Sequence, residues 1–415
     1  MKSLPTNPDV IVVGAGAAGL AAALSLRREG LSTIVLEAAG RPGGRCITDT
    51  DTFSVPFDRG GQWLHAASIN PLARLAEQSG RTLHKTEWDW TWVYALDRQL
   101  SDSEVADYRR YVDTMWNAID VAGQGSQDTA IAPVVPAGPW SSTAVHSISH
   151  SLAADADETS ARDVFNYANI GGDWLVAGGL GDFVAHLHRD VPVMCNCPVT
   201  EIDHTGPRIK VTTAKGTLEA ENLVLTVSTG ILAAETIRFV PQLPAAKLDA
   251  IDMLPNGLLN KVGIEFEPGW AGATQGQMAD YHSGDAEYCS LHFGFYDTGL
   301  AISFVAGRFA DQLERQGPGA ATDYCLEALR CLFGNDIHKS IRRTEETAWR
   351  SNPFTVGSYS HARPGHADAR KALAQSMDNR IFFAGEATTA GACATVHGAF
   401  LSGQSAARQI LRVRG

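Results

Sequence analysis

No basic run, no CxxC pair and no stretch of 18 apolar residues occurs in this sequence. Each absence excludes a class of function. With no clustered lysine or arginine and a net charge of −12, the chain repels phosphate backbones and anionic lipid. Nucleic-acid and membrane partners are therefore disfavoured. Without a long apolar run, no bilayer-spanning helix is expected. The cysteines Cys46, Cys195, Cys197, Cys289, Cys325, Cys331 and Cys393 are odd in number and irregularly spaced. They fit no zinc or redox pattern, so reduced thiols, no metal site and a cytoplasmic setting are expected. A polar, proline-containing start followed by a short apolar run reads as a strand, not a signal peptide. The acidic balance serves solubility first and is compatible with a cationic small molecule.

What is present in excess is glycine, 40 of 415 residues, against an average of about 7%. The length gives a prior of two or three domains. No internal repeat is visible.

Residues 9–13 form an apolar, β-branched run of the kind found in a buried parallel strand. Gly14, Gly16 and Gly19 follow as GxGxxG. A helix is expected over 17–29 with Gly30 ending it, then a second strand at 33–36 closed by Glu37. This order is a dinucleotide fingerprint. Gly14 permits the tight turn, Gly16 admits a pyrophosphate, and Gly19 lets helix and strand pack closely. The helix N-terminus faces the phosphates. Glu37, 18 residues after Gly19, is placed to bind an adenosine ribose, and its charge argues against a 2′-phosphate.

Two further glycine turns, GRPGGR at 40–45 and DRGGQWLH at 58–65, suit a long ligand. The glycines at 178–181 differ in register, and no second GxGxxG follows a strand. One nucleotide site without a nicotinamide site points to FAD reduced by the organic substrate itself.

The motifs spread along the chain resemble those of the flavin-dependent amine oxidase family. RIFFAGEAT at 380–388 is similar to its C-terminal flavin segment, and ATVHGAFLSG at 394–403 to the start of its last helix. LNKVGIEF at 259–266 resembles the strand of its active-site lysine. Trp349, the segment 357–360, the run 226–232 and FVPQLP at 239–244 also match. The wording is nearest the polyamine oxidase and histone-lysine demethylase branch. The implied fold is α/β: a Rossmann-like FAD-binding domain (1–75, 176–250, 346–415) interleaved with an α+β substrate-binding domain (76–175, 251–345). Within the latter, Ser101 and Glu104 form a capping box opening a helix to about residue 120, and 121–143 reads as a loop. A chain whose first strand begins at residue 9 leaves no room for the docking domain and helical hairpin of the demethylase branch, so a bare catalytic module is expected.

The resemblance also implies roles. Lys261 shares a strand face with Gly263 and Glu265, which by pattern alone is a solvent-facing edge; the family instead places this lysine behind the flavin, where it assists reoxidation. Tyr359 matches one wall of an aromatic cage, and Thr395 stands where the monoamine branch has a second tyrosine. His65, in a loop before an Asn70–Pro71 helix start, is placed to orient or deprotonate the amine. Ser358 replaces the flavin-bonding cysteine of monoamine oxidases, so FAD is expected to be non-covalent. The FAD contact set is Gly14, Gly16, Ala18, Gly19, Glu37, Ala38, Gly43, Gly44, Arg45, Gly60, Gly61, Gln62, Trp63, Val199, Trp349, Gly385, Glu386, Thr395 and Val396. Ala387 stands where many relatives carry histidine. Trp88, Trp90 and Trp92 alternate, which puts three indoles on one strand face. Asp173 is a candidate partner for a distal ammonium.

The implied activity is oxidation of a primary or secondary amine, polyamine-like or arylalkyl, with molecular oxygen as acceptor and hydrogen peroxide as product. The chain is expected to be a monomer or homodimer. The alternatives are an L-amino acid oxidase, which needs an arginine clamp such as Arg59, a flavin amine dehydrogenase with another acceptor, and a non-catalytic FAD scaffold.

Overall fold

The structure is a computed structural model, and it describes residues 7–168, 172–284 and 286–415. Its centre is a five-stranded parallel sheet in the spatial order Val193–Met194, Thr33–Leu36, Val10–Val13, Asn222–Leu225, Ile381–Phe383. Every strand but Val193–Met194 is buried along its whole length, as the strands of a helix-covered parallel sheet must be. The chain leaves Val10–Val13 toward one side for Thr33–Leu36 and later returns on the other side as Asn222–Leu225. That reversal makes a crevice beyond Val13, where open α/β sheets bind ligands.

Helix Ala17–Arg28 ends as expected, with Gly30 at φ +86°. It packs against the C-terminal helix Val396–Arg414. The approach is closest at Gly403, where a Cβ would sit 2.0 Å from the Ala18 carbonyl oxygen. Gly403→Ala is expected to separate the two helices at a cost of about 1–3 kcal/mol. A thermal midpoint equal to wild type would show that the helices do not need this contact.

A second sheet has the order Gly216–Ala220, Ile209–Thr213, Val199–Asp203, Arg238–Val240 and shares an apolar core with the first. The large substrate-side sheet has seven strands: Ile341–Glu346, Leu259–Phe266, Leu300–Ala306, Glu287–Phe295, Gln277–Gly284, Asp89–Ala95 and Arg98–Gln99. Its strands come from stretches of chain different from those that build the parallel sheet. Helices Gly307–Gln316 and Ala320–Phe333 cover one face. A small sheet of Trp63–Leu64, Trp174–Val176 and Leu83–His84 adds a further set of pairings.

Three expectations are corrected. The capping box at Ser101 and Glu104 is present, but its helix extends over Asp102–Gln124, and the expected loop ends in a short helix, Ser141–Ala144. The strand Leu259–Phe266 has no solvent face, because the segment around 53–62 lies over Lys261, Gly263 and Glu265. A Cβ on Gly263 would meet the Phe53 ring at 2.7 Å, and Glu265 accepts the Ser54 N–H at 2.8 Å. The three tryptophans do not share a face. The register slips between Met278 and Ala279 opposite Trp90–Trp92, and the indoles enter three separate clusters.

Candidate active site

One cavity of about 1370 Å³ runs from the glycine turn after Val13 to the face of the seven-stranded sheet. That exceeds a drug-sized pocket of roughly 300–1,000 Å³. At one end Gly14 takes φ +100°, and its N–H donates to the Leu36 carbonyl at 2.8 Å. Glu37 accepts the Ala15 N–H at 2.7 Å and the Ala39 N–H at 2.8 Å, so the acid also ties the turn to the second strand. A Cβ on Gly16 or Gly385 would meet nothing within 4 Å; both backbones border open cavity. The far wall carries the N-terminus of helix Val396–Arg414. Thr395 caps it by accepting the Gly398 N–H at 3.0 Å, which leaves the earlier amides of the first turn outside the cap. A glycine cradle at one end and a helix N-terminus at the other fit a long dinucleotide whose two ends both favour backbone N–H groups.

Lys261 is only 3% exposed. Its Nζ donates to the carbonyl oxygens of Asp58 at 2.7 Å and Gly60 at 2.8 Å, and to Gln62 Oε1 at 2.7 Å. Burial lowers its pKa to about 7, while the Asp58 charge pushes back. The Asp58 carboxylate points elsewhere, accepting from Thr48 and from the Leu180 and Gly181 amides.

Tyr359 and Thr395 line the cavity together. The Tyr359 hydroxyl donates to the Ser151 carbonyl at 3.2 Å, and burial raises its pKa. His65 Nδ1 lies 3.1 Å from Asp173 Oδ1. Burial works to raise the Asp173 pKa, but His65, the Ala66 amide and His397 together bring it below the usual carboxylate range. Burial holds nearby His397 at about 4. Helix Pro71–Gln78 starts at Asn70 as expected, and Asn70 Nδ2 fixes the loop by donating to the His65 carbonyl.

Glu386 accepts from Arg45 Nη1 at 2.9 Å, Ser360 Oγ at 2.7 Å and the Ala394 amide at 3.2 Å. Burial works to raise its pKa, yet Arg45 and Arg370 bring it below the usual range. Arg45 also donates to the Ser358 carbonyl. The Ser358 hydroxyl itself accepts from the Leu259 amide and donates to the Gly257 carbonyl.

Of the residues expected to form the site, the cavity wall gathers Lys261, Tyr359, Thr395 and His65. It also gathers Gly14, Gly16, Ala18, Glu37, Ala38, Gly43, Gly44, Arg45, Gly60, Gly61, Gln62, Trp63, Val199, Trp349, Gly385, Glu386 and Val396. Gly19 is set apart: a Cβ there would lie 2.0 Å from the Gly14 carbonyl oxygen, so it serves packing. Arg59, the arginine an amino acid oxidase would use, lines the cavity, but its guanidinium is already paired with Asp49 at 3.0 Å and Glu345 at 2.7 Å. The sequence reading did not find His150, His292 or Phe304, which also line the cavity. Their strands and helices carry no local signal of it.

A doubly wound sheet, one dinucleotide cradle and one continuous cavity holding a buried lysine describe a dinucleotide-binding protein with room for a second molecule beside the cofactor. The chain belongs to the flavin containing amine oxidoreductase family, whose family model matches residues 125–411. A model of the NAD(P)-binding Rossmann-like domain matches residues 12–78. The cofactor is therefore FAD. Protein FLOWERING LOCUS D of Arabidopsis thaliana is 32% identical over 96% of this chain and 54% of its own length. Lysine-specific histone demethylase 1 homolog 1 of Oryza sativa subsp. japonica is 33% identical over 99% of this chain and 53% of its own. The chain thus spans about half the length of these relatives. Polyamine oxidase 4 of the same rice is 30% identical over 100% of this chain and 91% of its own. A solved structure of putrescine oxidase bound to putrescine superposes with a TM-score of 0.80 at 21% identity, covering 98% of this chain and 99% of that one. It establishes the fold. Among the described residues no cluster of metal-binding side chains occurs, and no helix is long and apolar enough to cross a membrane.

Proposed function

We propose that the protein oxidises a primary or secondary amine to an imine, which hydrolyses to a carbonyl compound, with oxygen reduced to hydrogen peroxide. The observation that carries this is the single cavity joining the dinucleotide cradle to Lys261, Tyr359 and Thr395. FAD, when bound, supplies the hydride acceptor and returns the electrons to oxygen.

The protein's own residues bind and orient. Tyr359 offers an aromatic face to the amine carbon chain, and Thr395, smaller than a second tyrosine, leaves room for a substituent on nitrogen. His65, backed by Asp173, accepts a hydrogen bond from the amine. Water exclusion by the aromatic wall favours the neutral amine over the ammonium. The engaged guanidinium of Arg59 speaks for an amine over an amino acid.

The test is anaerobic flavin bleaching of the holoenzyme with polyamines, arylalkylamines, secondary amines including a methyl-lysine peptide, and amino acids. Bleaching by an amine is expected, with a rate that rises with pH as the amine deprotonates. Bleaching by amino acids alone, or a rate flat into the alkaline range, would overturn the reading. Oxygen consumption after bleaching separates an oxidase from a dehydrogenase.

A further inference from the structure

The three oxygen acceptors around Lys261 Nζ are not alike. Two are peptide carbonyls that cannot turn. The peptide unit carrying the Asp58 carbonyl is pinned on its other edge, where the Arg59 N–H donates to the Ile47 carbonyl at 2.9 Å. The unit carrying the Gly60 carbonyl is pinned likewise, by the Gly61 N–H on the Arg45 carbonyl at 3.0 Å. The third acceptor is Oε1 of Gln62, a side chain that is 1% exposed. Its Nε2 has no hydrogen-bond partner among the described residues. Neither does the hydroxyl of Tyr296, which neighbours Gln62 and Asp58.

An ammonium has three N–H donors and is met by three acceptors. A neutral amine has two N–H donors and a lone pair, so one of three fixed acceptors would face that lone pair and repel it. Gln62 is the partner that can change what it offers. A half-turn of its amide replaces Oε1 by Nε2, which donates to the lone pair. The Tyr296 hydroxyl both donates and accepts, so it tolerates either face of the amide. The charged and titratable groups around the nitrogen leave both forms within reach. The Asp58 charge favours the ammonium, but that carboxylate is engaged by Thr48 and the Leu180 and Gly181 amides. Glu265, on the lysine's own strand, is engaged by the Ser54 N–H and Arg342. Burial raises the Cys46 thiol and the Tyr296 hydroxyl and lowers His292, so all three stay neutral.

We propose that Gln62 is a positioning residue that lets Lys261 serve both as a cation and as a neutral amine, by turning Oε1 toward the first and Nε2 toward the second. A lysine met only by fixed acceptors would be held as a cation. With Gln62 beside it, its charge can follow the charge on the cofactor, the proton passing through the cavity that Lys261 lines. That consequence for the oxygen step rests on the oxidase reading above; the turn of the amide does not.

The experiment is a pH titration of FAD-loaded protein by NMR, with isotope-labelled lysine and glutamine. Lys261→Met and Gln62→Met identify the two side-chain signals by their loss. In wild type the Lys261 ε-carbon is expected to titrate at about 7, and the Gln62 side-chain amide to move with the same midpoint. Gln62→Met removes one acceptor. That weakens the ammonium more than the amine, because charge-assisted hydrogen bonds are the stronger. The Lys261 midpoint should fall by about 1 pH unit. Gln62→Glu supplies a charged acceptor that does not donate, so the midpoint should rise by about 1 pH unit or more. Oxygen reaction of the dithionite-reduced proteins should shift its pH midpoint in the same order. A role confined to packing would lower the thermal midpoint and leave the lysine titrations together. Coincident lysine titrations, or a Gln62 amide that does not move through the Lys261 midpoint, overturn the proposal. Gln62→Glu and the wild-type amide signal carry the test if Gln62→Met does not fold. Neither measurement uses an amine, so failure of every amine to bleach the flavin overturns the amine-oxidising reading and leaves this one standing.

Discussion

Replacing Lys261 by methionine is expected to slow the reaction of the reduced enzyme with oxygen by about 100-fold, the scale seen when one preorganised electrostatic group is removed. Anaerobic bleaching by the amine should change far less. The side chain is buried, and three oxygen acceptors surround its nitrogen at 2.7–2.8 Å. They match the three N–H donors of the charged form and fix the cation in place. Methionine keeps the length and apolar stem but removes the charge. The three acceptors then lose their donor, a penalty partly offset because a charge no longer has to be buried. The variant is therefore expected to fold. The pH profile adds a second readout. With its pKa lowered to about 7, the lysine is cationic below that value and neutral above it. The oxygen reaction of wild type should then fall as pH rises through about 7, whereas that of Lys261→Met should be flat there. Equal oxygen rates in the two proteins would remove Lys261 from this step.

How much of this was legible in the sequence depends on how local each signal is. The cradle is local. Gly14, Gly16 and Glu37 lie within one strand–turn–helix–strand unit, and the structure forms that unit where the spacing predicts it. Gly19 was legible as packing, the role its position supports, but not as the FAD contact also expected of it, since it lies off the cavity wall. The setting of Lys261 was not legible from alternation. The cover over its face comes from the segment around 53–62, some 200 residues earlier in the chain. A period-two pattern reports which residues share a face; it does not report what lies over that face. The tryptophan stripe failed for a different reason. One bulge between Met278 and Ala279 reorients the neighbours of Trp90 and Trp92, and a bulge leaves no mark in a hydrophobic pattern. His292 was silent because the rings packed around it, Trp88, Phe304 and His150, belong to three other stretches of chain.

The least legible feature carries the largest expected loss of stability. Arg370→Met is expected to lower the stability of the holoenzyme by about 3–5 kcal/mol, the cost of leaving a buried partner charge uncompensated. Arg370 is 1% exposed, and Nε and Nη2 hold Asp163 in a fork at 2.6 and 2.7 Å. Its Nη1 donates to Ser360 Oγ at 2.8 Å, and that hydroxyl donates on to Glu386. Asp163 lies on helix Ala161–Asn166, whereas Arg370 lies on helix Ala369–Ala374, 207 residues later. One guanidinium thus joins two remote stretches of chain and steadies the acid at the flavin end of the cavity. In Arg370→Met, Asp163 keeps the Ala362 amide but has no counter-charge, and Ser360 loses its donor. Two effects should appear together: a lower thermal midpoint and weaker FAD retention on dilution. Asp163→Asn should be nearly as damaging, since it leaves Arg370 buried and charged. The double replacement Asp163→Leu with Arg370→Met removes both charges and should recover a large part of the midpoint. A single variant with wild-type midpoint and FAD affinity would show that the fork does not hold these segments together. A double variant as unstable as the sum of the singles would show that the two groups do not act as a pair.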